Sequence, residues 1–131
     1  MKKLLITVII IIMALGTVQA QNPIKGNEFL ETYRKAESEN NKEVLTYLSA
    51  YLSGMVKGIQ TTNVYHGMKG KGGLFCTPDN VKIITPDRMM NLMPKMQQDF
   101  KDGKTVYAED PLDAPLSITL NLILNHYYSC N

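Results

Sequence analysis

Residues 44–59, VLTYLSAYLSGMVKGI, carry the clearest structural pattern in this chain. Apolar side chains recur there at intervals of three and four residues, which places them along one side of an α-helix. They are Val44, Leu45, Leu48, Tyr51, Leu52, Met55, Val56 and Ile59. The pattern predicts a helix that forms the centre of the fold.

Small residues recur on another side of the same predicted helix, at Ala50, Gly54 and Gly58. A glycine inside a helix costs about 1 kcal/mol relative to alanine. Two such glycines therefore indicate that another group approaches the helix backbone closely at these positions. Close packing of another helix or loop is the structural interpretation. A groove lined by backbone, open to a ligand, is the functional alternative.

The first twenty residues have the pattern of a secretory signal peptide. Lys2 and Lys3 precede an apolar run over residues 4–14, and Val18-Gln19-Ala20 supplies small residues suited to cleavage. The run is shorter than the roughly 20 residues of a transmembrane helix. We expect a mature chain of residues 21–131, exported to a compartment that is most simply the periplasm, without a membrane anchor.

Charge and length narrow the function of the mature chain. The whole chain has 14 basic and 12 acidic residues, and Lys2 and Lys3 account for the excess. The mature chain is therefore close to neutral and has no basic run, which gives no electrostatic footprint for nucleic acid or an anionic membrane. Its length suits a single small domain.

Cys76 and Cys130 are the only cysteines. In an exported chain such a pair indicates a structural disulfide within the chain. A bridge between two chains is the alternative, because Cys130 is the penultimate residue. The spacing does not fit a CxxC redox motif, and two cysteines cannot form a four-cysteine zinc site. We expect no metal and no other cofactor.

Further helices are predicted on both sides of residues 44–59. Asn27 is expected to cap a first helix that ends near Asn40, where two consecutive asparagines interrupt the pattern. One of the two, Asn40 or Asn41, is expected to cap the helix over residues 44–59. Residues 85–87, Thr-Pro-Asp, combine a capping hydroxyl, a proline and an acid, and predict a third helix extending to about residue 100. A fourth helix is expected over residues 115–127.

Residues 61–73, TTNVYHGMKGKGG, contain four glycines and two lysines and lack helical periodicity. They are predicted to form an exposed, mobile loop. The complete expectation is an all-α domain of four helices with one intrachain disulfide and a long glycine-rich loop between helices two and three.

Candidate chemistry is sparse. His66 and His126 are the only histidines, and neither has a serine, cysteine or carboxylate partner at a recognisable hydrolase spacing. We therefore expect a binding protein rather than an enzyme, with an enzyme of unrecognised site as the remaining alternative.

Four methionines follow the third helix start, and soft thioethers at helical spacing can hold Cu(I). Three of them share a stripe with Leu92 and Phe100, which favours a role in the core. The four residues are Met89, Met90, Met93 and Met96.

Several short motifs, in order, resemble the Rap and Tai family of immunity proteins, which protect bacteria from peptidoglycan amidases delivered by type VI secretion. They are Gly26-Asn27-Glu28-Phe29-Leu30, Tyr51-Leu52-Ser53-Gly54, Phe75-Cys76-Thr77-Pro78 and Tyr128-Ser129-Cys130. A second cysteine pair of that family is absent, since Tyr33 and Leu48 stand at its positions. The retained pair, Cys76 and Cys130, fits the disulfide expected above.

The resemblance implies a periplasmic protein that binds and inhibits a cognate amidase toxin. Its implied partners are that toxin and a second copy of the chain, with which it would form a homodimer. Recognition is expected in the predicted loop, because exposed loops on a rigid scaffold commonly carry binding residues. The candidates are Tyr65, His66, Lys69 and Lys71. A periplasmic acid-stress chaperone, or another periplasmic binding protein, is the alternative function.

Overall fold

The computed structural model describes residues 22–70, 72–77 and 83–130. The predicted signal peptide and Lys71 lie outside these residues, so the signal peptide stays a prediction. The described part contains four α-helices and a short 3₁₀ turn, and one isolated β-bridge is its only β pairing. The elements are α1 (Gly26–Ser38), α2 (Lys42–Met68), α3 (Pro86–Lys101), the 3₁₀ turn (Pro111–Asp113) and α4 (Leu116–Tyr127). The predicted all-α class with four helices is confirmed.

Helix α4 lies at the centre of the domain and contacts α1, α2 and α3. Its leucines and isoleucine at positions 116, 120, 123 and 124 are at most 1% exposed. Complete burial of one such side chain is worth roughly 1.5–3 kcal/mol. Helix α4 is therefore the most deeply buried of the four helices, and α2, which the sequence pattern placed at the centre, contributes Leu48, Leu52 and Val56 to the same core.

Helix α2 is buried along one narrow row only. Leu48, Leu52 and Val56 face the core, whereas Tyr51, which the apolar pattern included, is 43% exposed. A Cβ atom placed on Gly54 or Gly58 would meet no other atom within 4 Å. Within the single chain, the predicted close packing at these glycines is wrong, because no other element covers the outer side of α2.

Helix α2 is also longer than expected. It continues to Met68, so the predicted loop over residues 61–73 is wrong at its start. The hydroxyls of Thr61 and Thr62 donate to the carbonyl oxygens four residues earlier, at 2.9 and 3.0 Å. Extending an existing helix by one residue costs much less free energy than nucleating a new helix. Weak helix formers such as Thr61 and Thr62 can therefore continue α2. Glycines with positive φ follow only after Met68, at Gly70 and Gly72.

Two of the predicted helix starts are confirmed. The Asn41 side chain accepts a hydrogen bond from the backbone amide of Val44 at 3.2 Å and caps α2. The Thr85 hydroxyl oxygen accepts from the amide of Arg88 at 3.3 Å and caps α3, with Pro86 in the first position. Both caps are local, and local sequence was enough to predict them.

The predicted cap at Asn27 is wrong, because α1 begins one residue earlier at Gly26. The Asn27 amide instead donates to a carboxylate oxygen of Asp113 at 2.8 Å. The first helix ends at Ser38, and Asn40 has a φ of 51°, a left-handed conformation that ends the helical run.

The start of α1 is held against the start of α4. The Gly26 amide donates to the Ala114 carbonyl at 3.0 Å, and the Leu116 amide donates to the Ile24 carbonyl at 2.8 Å. The buried Thr119 hydroxyl donates to the carbonyl of Pro111 at 2.8 Å. A Cβ atom on Gly26 would lie 2.6 Å from this hydroxyl oxygen. Glycine at position 26 is therefore a steric requirement of the contact.

The predicted intrachain disulfide joins Cys76 and Cys130, which are 54 residues apart. Beside it, the Cys76 amide donates to the Tyr128 carbonyl at 2.6 Å, and the Phe75 side chain is 2% exposed. The segment before α3 is thus fixed to the end of α4 by a covalent bond, a hydrogen bond and a buried ring.

The two kinds of helical glycine give opposite predictions. Gly26→Ala should destabilise the protein by about 1–3 kcal/mol, because the added methyl group would overlap Thr119. Gly67→Ala should be neutral or stabilise by up to about 1 kcal/mol, since its methyl group enters open space. Chemical denaturation of both variants measures the difference. Equal effects would contradict the described packing of both residues.

Loss of the disulfide should lower the free energy of unfolding by about 2–4 kcal/mol, because the reduced unfolded chain gains conformational freedom. The test compares the oxidised protein with the double variant Cys76→Ser, Cys130→Ser by thermal and chemical unfolding. A reductant should bring the unmodified protein to the stability of the double variant and should leave the variant unchanged.

Candidate binding surface at the end of α2

The carboxyl-terminal end of α2 carries the residues that the sequence analysis selected for recognition. Tyr65 and His66 lie in the last turn of the helix rather than in a loop, and Lys69 follows directly after it. Tyr65 is exposed, and the Lys69 ammonium lies 4.7 Å from the centre of its ring, a cation–π contact. His66 is half-buried, and Lys71 lies outside the described residues. The structure thus brings together two of the four candidates.

Exposed apolar side chains surround this pair, and the sequence analysis missed them. Val64 is 61% exposed, Met68 is 83% exposed and Ile83 is 68% exposed. Val64 and Ile83 line one shallow groove together with Lys57, Gln60 and Thr61. We call the following residues the α2 tip: Val64, Tyr65, Met68, Lys69, Leu74 and Ile83.

The α2 tip projects because α2 is much longer than the helices beside it. It has 27 residues, whereas α1 has 13, α3 has 16 and α4 has 12. At about 1.5 Å per residue, α2 extends well past the partners that bury its first half. Continued helical spacing of Val64 and Met68 was the sequence pattern that could have revealed this surface, but the glycines and lysines obscured it.

Asn63 fixes the base of the α2 tip. Its side-chain oxygen accepts from the amides of Leu74 at 2.5 Å and Phe75 at 3.1 Å, and its side-chain nitrogen donates to the Phe75 carbonyl at 2.8 Å. The neighbouring Cys76 is in the disulfide. Exposed apolar residues therefore stand on a base that is anchored at several points.

The charges at the α2 tip have one sign among the described residues. Lys57 borders the groove and Lys69 borders Tyr65, and no aspartate or glutamate is among the residues of the groove or the tip. A group of large exposed apolar side chains, two of which line one groove, is typical of a site for another protein. The lysines at its border favour a partner in which acidic side chains surround the apolar residues that contact the α2 tip.

A polar cluster lies at the carboxyl-terminal end of α4. The Asp99 carboxylate accepts a hydrogen bond from the Tyr127 hydroxyl at 2.6 Å, and it lies 3.9 Å from the His126 ring nitrogen. Lys95 and Lys104 lie 4.0 and 3.9 Å from the same carboxylate. The carboxylate partner of His126 is thus 27 positions away in sequence, and no hydrolase spacing could indicate it. These contacts link α3, α4 and the segment after α3.

Burial is the main cause that raises the pKa of the Tyr127 hydroxyl above its ordinary value, and the adjacent Asp99 carboxylate adds to the effect. Both causes disfavour a negative phenolate. Tyr127 is therefore neutral wherever the domain is folded near neutral pH, and it donates to Asp99.

The methionines of α3 lie where the packing interpretation placed them. Met89, Met93 and Met96 are fully buried in the hydrophobic core, and Met90 is partly buried against it. Over residues 22–70, 72–77 and 83–130, no group of three or more histidine, cysteine, aspartate or glutamate side chains is arranged to hold a metal ion. Copper binding therefore has no exposed set of thioethers in α3 to support it.

No protein-family model matches the chain, and neither does any curated protein or solved structure. None of the helices in the described residues combines the length and the hydropathy needed to cross a membrane.

Tyr127 gives a prediction for alkaline pH. A raised pKa in the folded state means that the folded protein holds this proton more tightly, so the associated stability is present below the ordinary value of 10.0 and is lost as pH rises above it. The free energy of unfolding should therefore fall more steeply between about pH 9 and pH 11 in the unmodified protein than in Tyr127→Phe.

Urea denaturation across that pH range measures both slopes. If the free energy of unfolding fell as steeply with pH in Tyr127→Phe as in the unmodified protein, the folded state would not hold the Tyr127 hydroxyl proton more tightly than the unfolded state does.

Proposed function

We propose that this protein is a periplasmic immunity protein that binds a cognate peptidoglycan amidase of a type VI secretion system and occludes its substrate groove. The observation that carries the proposal is the α2 tip, an exposed apolar surface with a positive border on an anchored helical base. The ordered motifs that resemble the Rap and Tai immunity family support the choice of partner. Export through the signal peptide over residues 1–20 and a homodimeric state belong to the same proposal.

Occlusion requires binding and no catalytic step by this chain. A few large side chains usually dominate the binding energy of such a contact, and the surrounding residues exclude water. Met68 and Tyr65 are suited to be these anchors, because both are large, exposed and next to one another in the last turn of α2. Lys69 would then face acidic groups of the toxin. Lys71 is two residues further on and carries the same charge.

The revised anchor set differs from the one expected from sequence. Tyr65 and Lys69 are retained, and Val64, Met68 and Ile83 are added because of their exposure. His66 becomes a poorer candidate because it is half-buried in α2.

The exposed apolar tip also favours a second function, an acid-stress chaperone that binds unfolded chains. Apolar side chains on a soluble domain can hold either one specific partner or many unfolded ones. The two functions differ in stoichiometry and selectivity, because an immunity protein forms a defined complex with one folded toxin.

The direct test uses the mature, oxidised protein and the secretion-linked amidases encoded beside its own gene. We expect tight binding and loss of amidase activity for one of them. Met68→Glu should weaken that binding by about a hundredfold or more, corresponding to about 2.7 kcal/mol, because it places a charge in an apolar contact. Isothermal titration and a peptidoglycan release assay measure the two effects.

Val106→Glu is the matched control, because Val106 is 94% exposed and lies outside the α2 tip. It should bind as the unmodified protein does. Unchanged binding of Met68→Glu would exclude the tip as the toxin site. Absence of inhibition of every neighbouring amidase would refute the immunity function, and suppression of aggregation of unrelated proteins at low pH would favour the chaperone.

A further inference from the structure

The outer side of α2 carries a regular row of exposed residues. The spacing along this row alternates between four and three, as it does along the contact line of a coiled coil. Each member is exposed in the folded chain. We call this row the α2 seam, and its members are Tyr47, Tyr51, Gly54, Gly58, Thr61 and Tyr65.

The α2 seam contains no charged residue. Between Glu43 and Lys69, Lys57 is the single lysine, arginine, aspartate or glutamate, and it is not a member of the seam. The solvent side of a helix normally carries charged and polar residues. Three exposed tyrosines and two glycines in their place indicate a surface that is covered in the working form of the protein.

The order of residues along the α2 seam reads almost the same in both directions. Tyrosine stands at each end, at positions 47 and 65, and the two glycines stand in the middle. An interface between identical subunits with twofold symmetry requires a surface that complements itself. A row with this order meets that requirement when two helices pack antiparallel.

We propose that the α2 seam is the interface of a homodimer in which two α2 helices pack antiparallel, with the twofold axis at the level of Val56. Tyr47 then lies opposite the partner's Tyr65. Gly54 lies opposite the partner's Gly58. The remaining pair is Tyr51 with the partner's Thr61. Every position of the row is paired in this register.

The proposed interface explains why two glycines occupy open positions in the single chain. Among the described residues none occupies the space above them, since a Cβ atom there would contact nothing within 4 Å. Distances between helix axes of about 8–10 Å depend on the side chains at the crossing point. Glycine on both helices permits the closest approach, and the flanking tyrosines then pack across the contact.

Charge complementarity selects the same register independently. With Gly54 opposite the partner's Gly58, Glu43 lies level with the partner's Lys69, and symmetry repeats the pair at the other end. A shift of one helical turn in either direction would separate both pairs. Opposite charges at the two ends of an uncharged contact are the usual way in which electrostatics fix alignment.

This assignment rests on the homodimer of the proposed function and names its interface. Val64, Met68 and Ile83 of the α2 tip are not members of the α2 seam, so they remain available to a toxin. Tyr65 and Lys69 are shared by the two surfaces. In the dimer, Val64, Met68 and Ile83 are therefore the main toxin contacts, and they lie beside the amino-terminal end of the partner's α2 helix.

The test uses glutamine substitutions at two glycines of α2 that both have open space around them. Gly58→Gln should fold normally, because its side chain enters solvent, yet it should separate the two helices. Gly67→Gln is the matched control, because Gly67 has the same open surroundings and lies off the seam. Sedimentation equilibrium and thermal unfolding of the mature oxidised proteins measure association and folding.

We expect a dimer for the unmodified protein and for Gly67→Gln. We expect at least about a hundredfold weaker dimerisation for Gly58→Gln, equivalent to about 2.7 kcal/mol. Glu43→Lys should weaken the dimer, and adding Lys69→Glu to that variant should restore it. If Glu43→Lys only disturbed the helix, the second substitution would not restore the dimer.

The outcomes separate the interface from the rest of the proposed function. If Gly58→Gln did not weaken the dimer, or if Lys69→Glu did not restore the dimer of Glu43→Lys, the α2 seam would not be the interface. The homodimer itself would not be excluded by either result. A monomeric unmodified protein at all concentrations would overturn the homodimer and its interface together. Toxin inhibition is measured separately with Gly58→Gln and reports on the immunity function alone, because Gly58 lies outside the α2 tip whereas Lys69 belongs to it.

Discussion

The burial of α4 is the constraint on which this fold depends. Half of the residues of this twelve-residue helix are leucine or isoleucine, and burying them is favourable, so three helices and a 3₁₀ turn pack against it. The contact of Gly26 with Thr119 sets how closely α1 approaches α4. The disulfide between Cys76 and Cys130 attaches the segment before α3 to the residues that follow α4. The other helices take their positions from these contacts.

Covering α4 needs only part of α2. The row at Leu48, Leu52 and Val56 lies in the core, Val44, Met55 and Ile59 pack at its border, and much of the remaining surface of this 27-residue helix is exposed. This surplus of helix is the physical origin of both surfaces that we assign to binding. Its last turns form the α2 tip, and its uncovered side forms the α2 seam. A helix matched in length to its neighbours would have offered neither.

The anchored base matters for recognition as much as the exposed residues do. Asn63 joins the last turns of α2 to the backbone at Leu74 and Phe75, and the disulfide fixes the next residue. Holding an apolar side chain in place before the partner arrives reduces the conformational entropy lost on binding. The mobile loop expected from sequence would have lost more of it. A helical, anchored tip is better suited to tight occlusion of an enzyme groove.

The sequence by itself determined the features that depend on neighbours along the chain. The caps at Asn41 and Thr85 and the burial of Met89, Met93 and Met96 followed from short patterns, and composition indicated the disulfide. Only the tertiary structure decided the features that depend on what lies across space. The open surroundings of Gly54, the extension of α2 through Tyr65 and the approach of His126 to Asp99 are of this kind. A helical pattern states which residues share a side, but whether another element covers that side is settled by packing between distant segments.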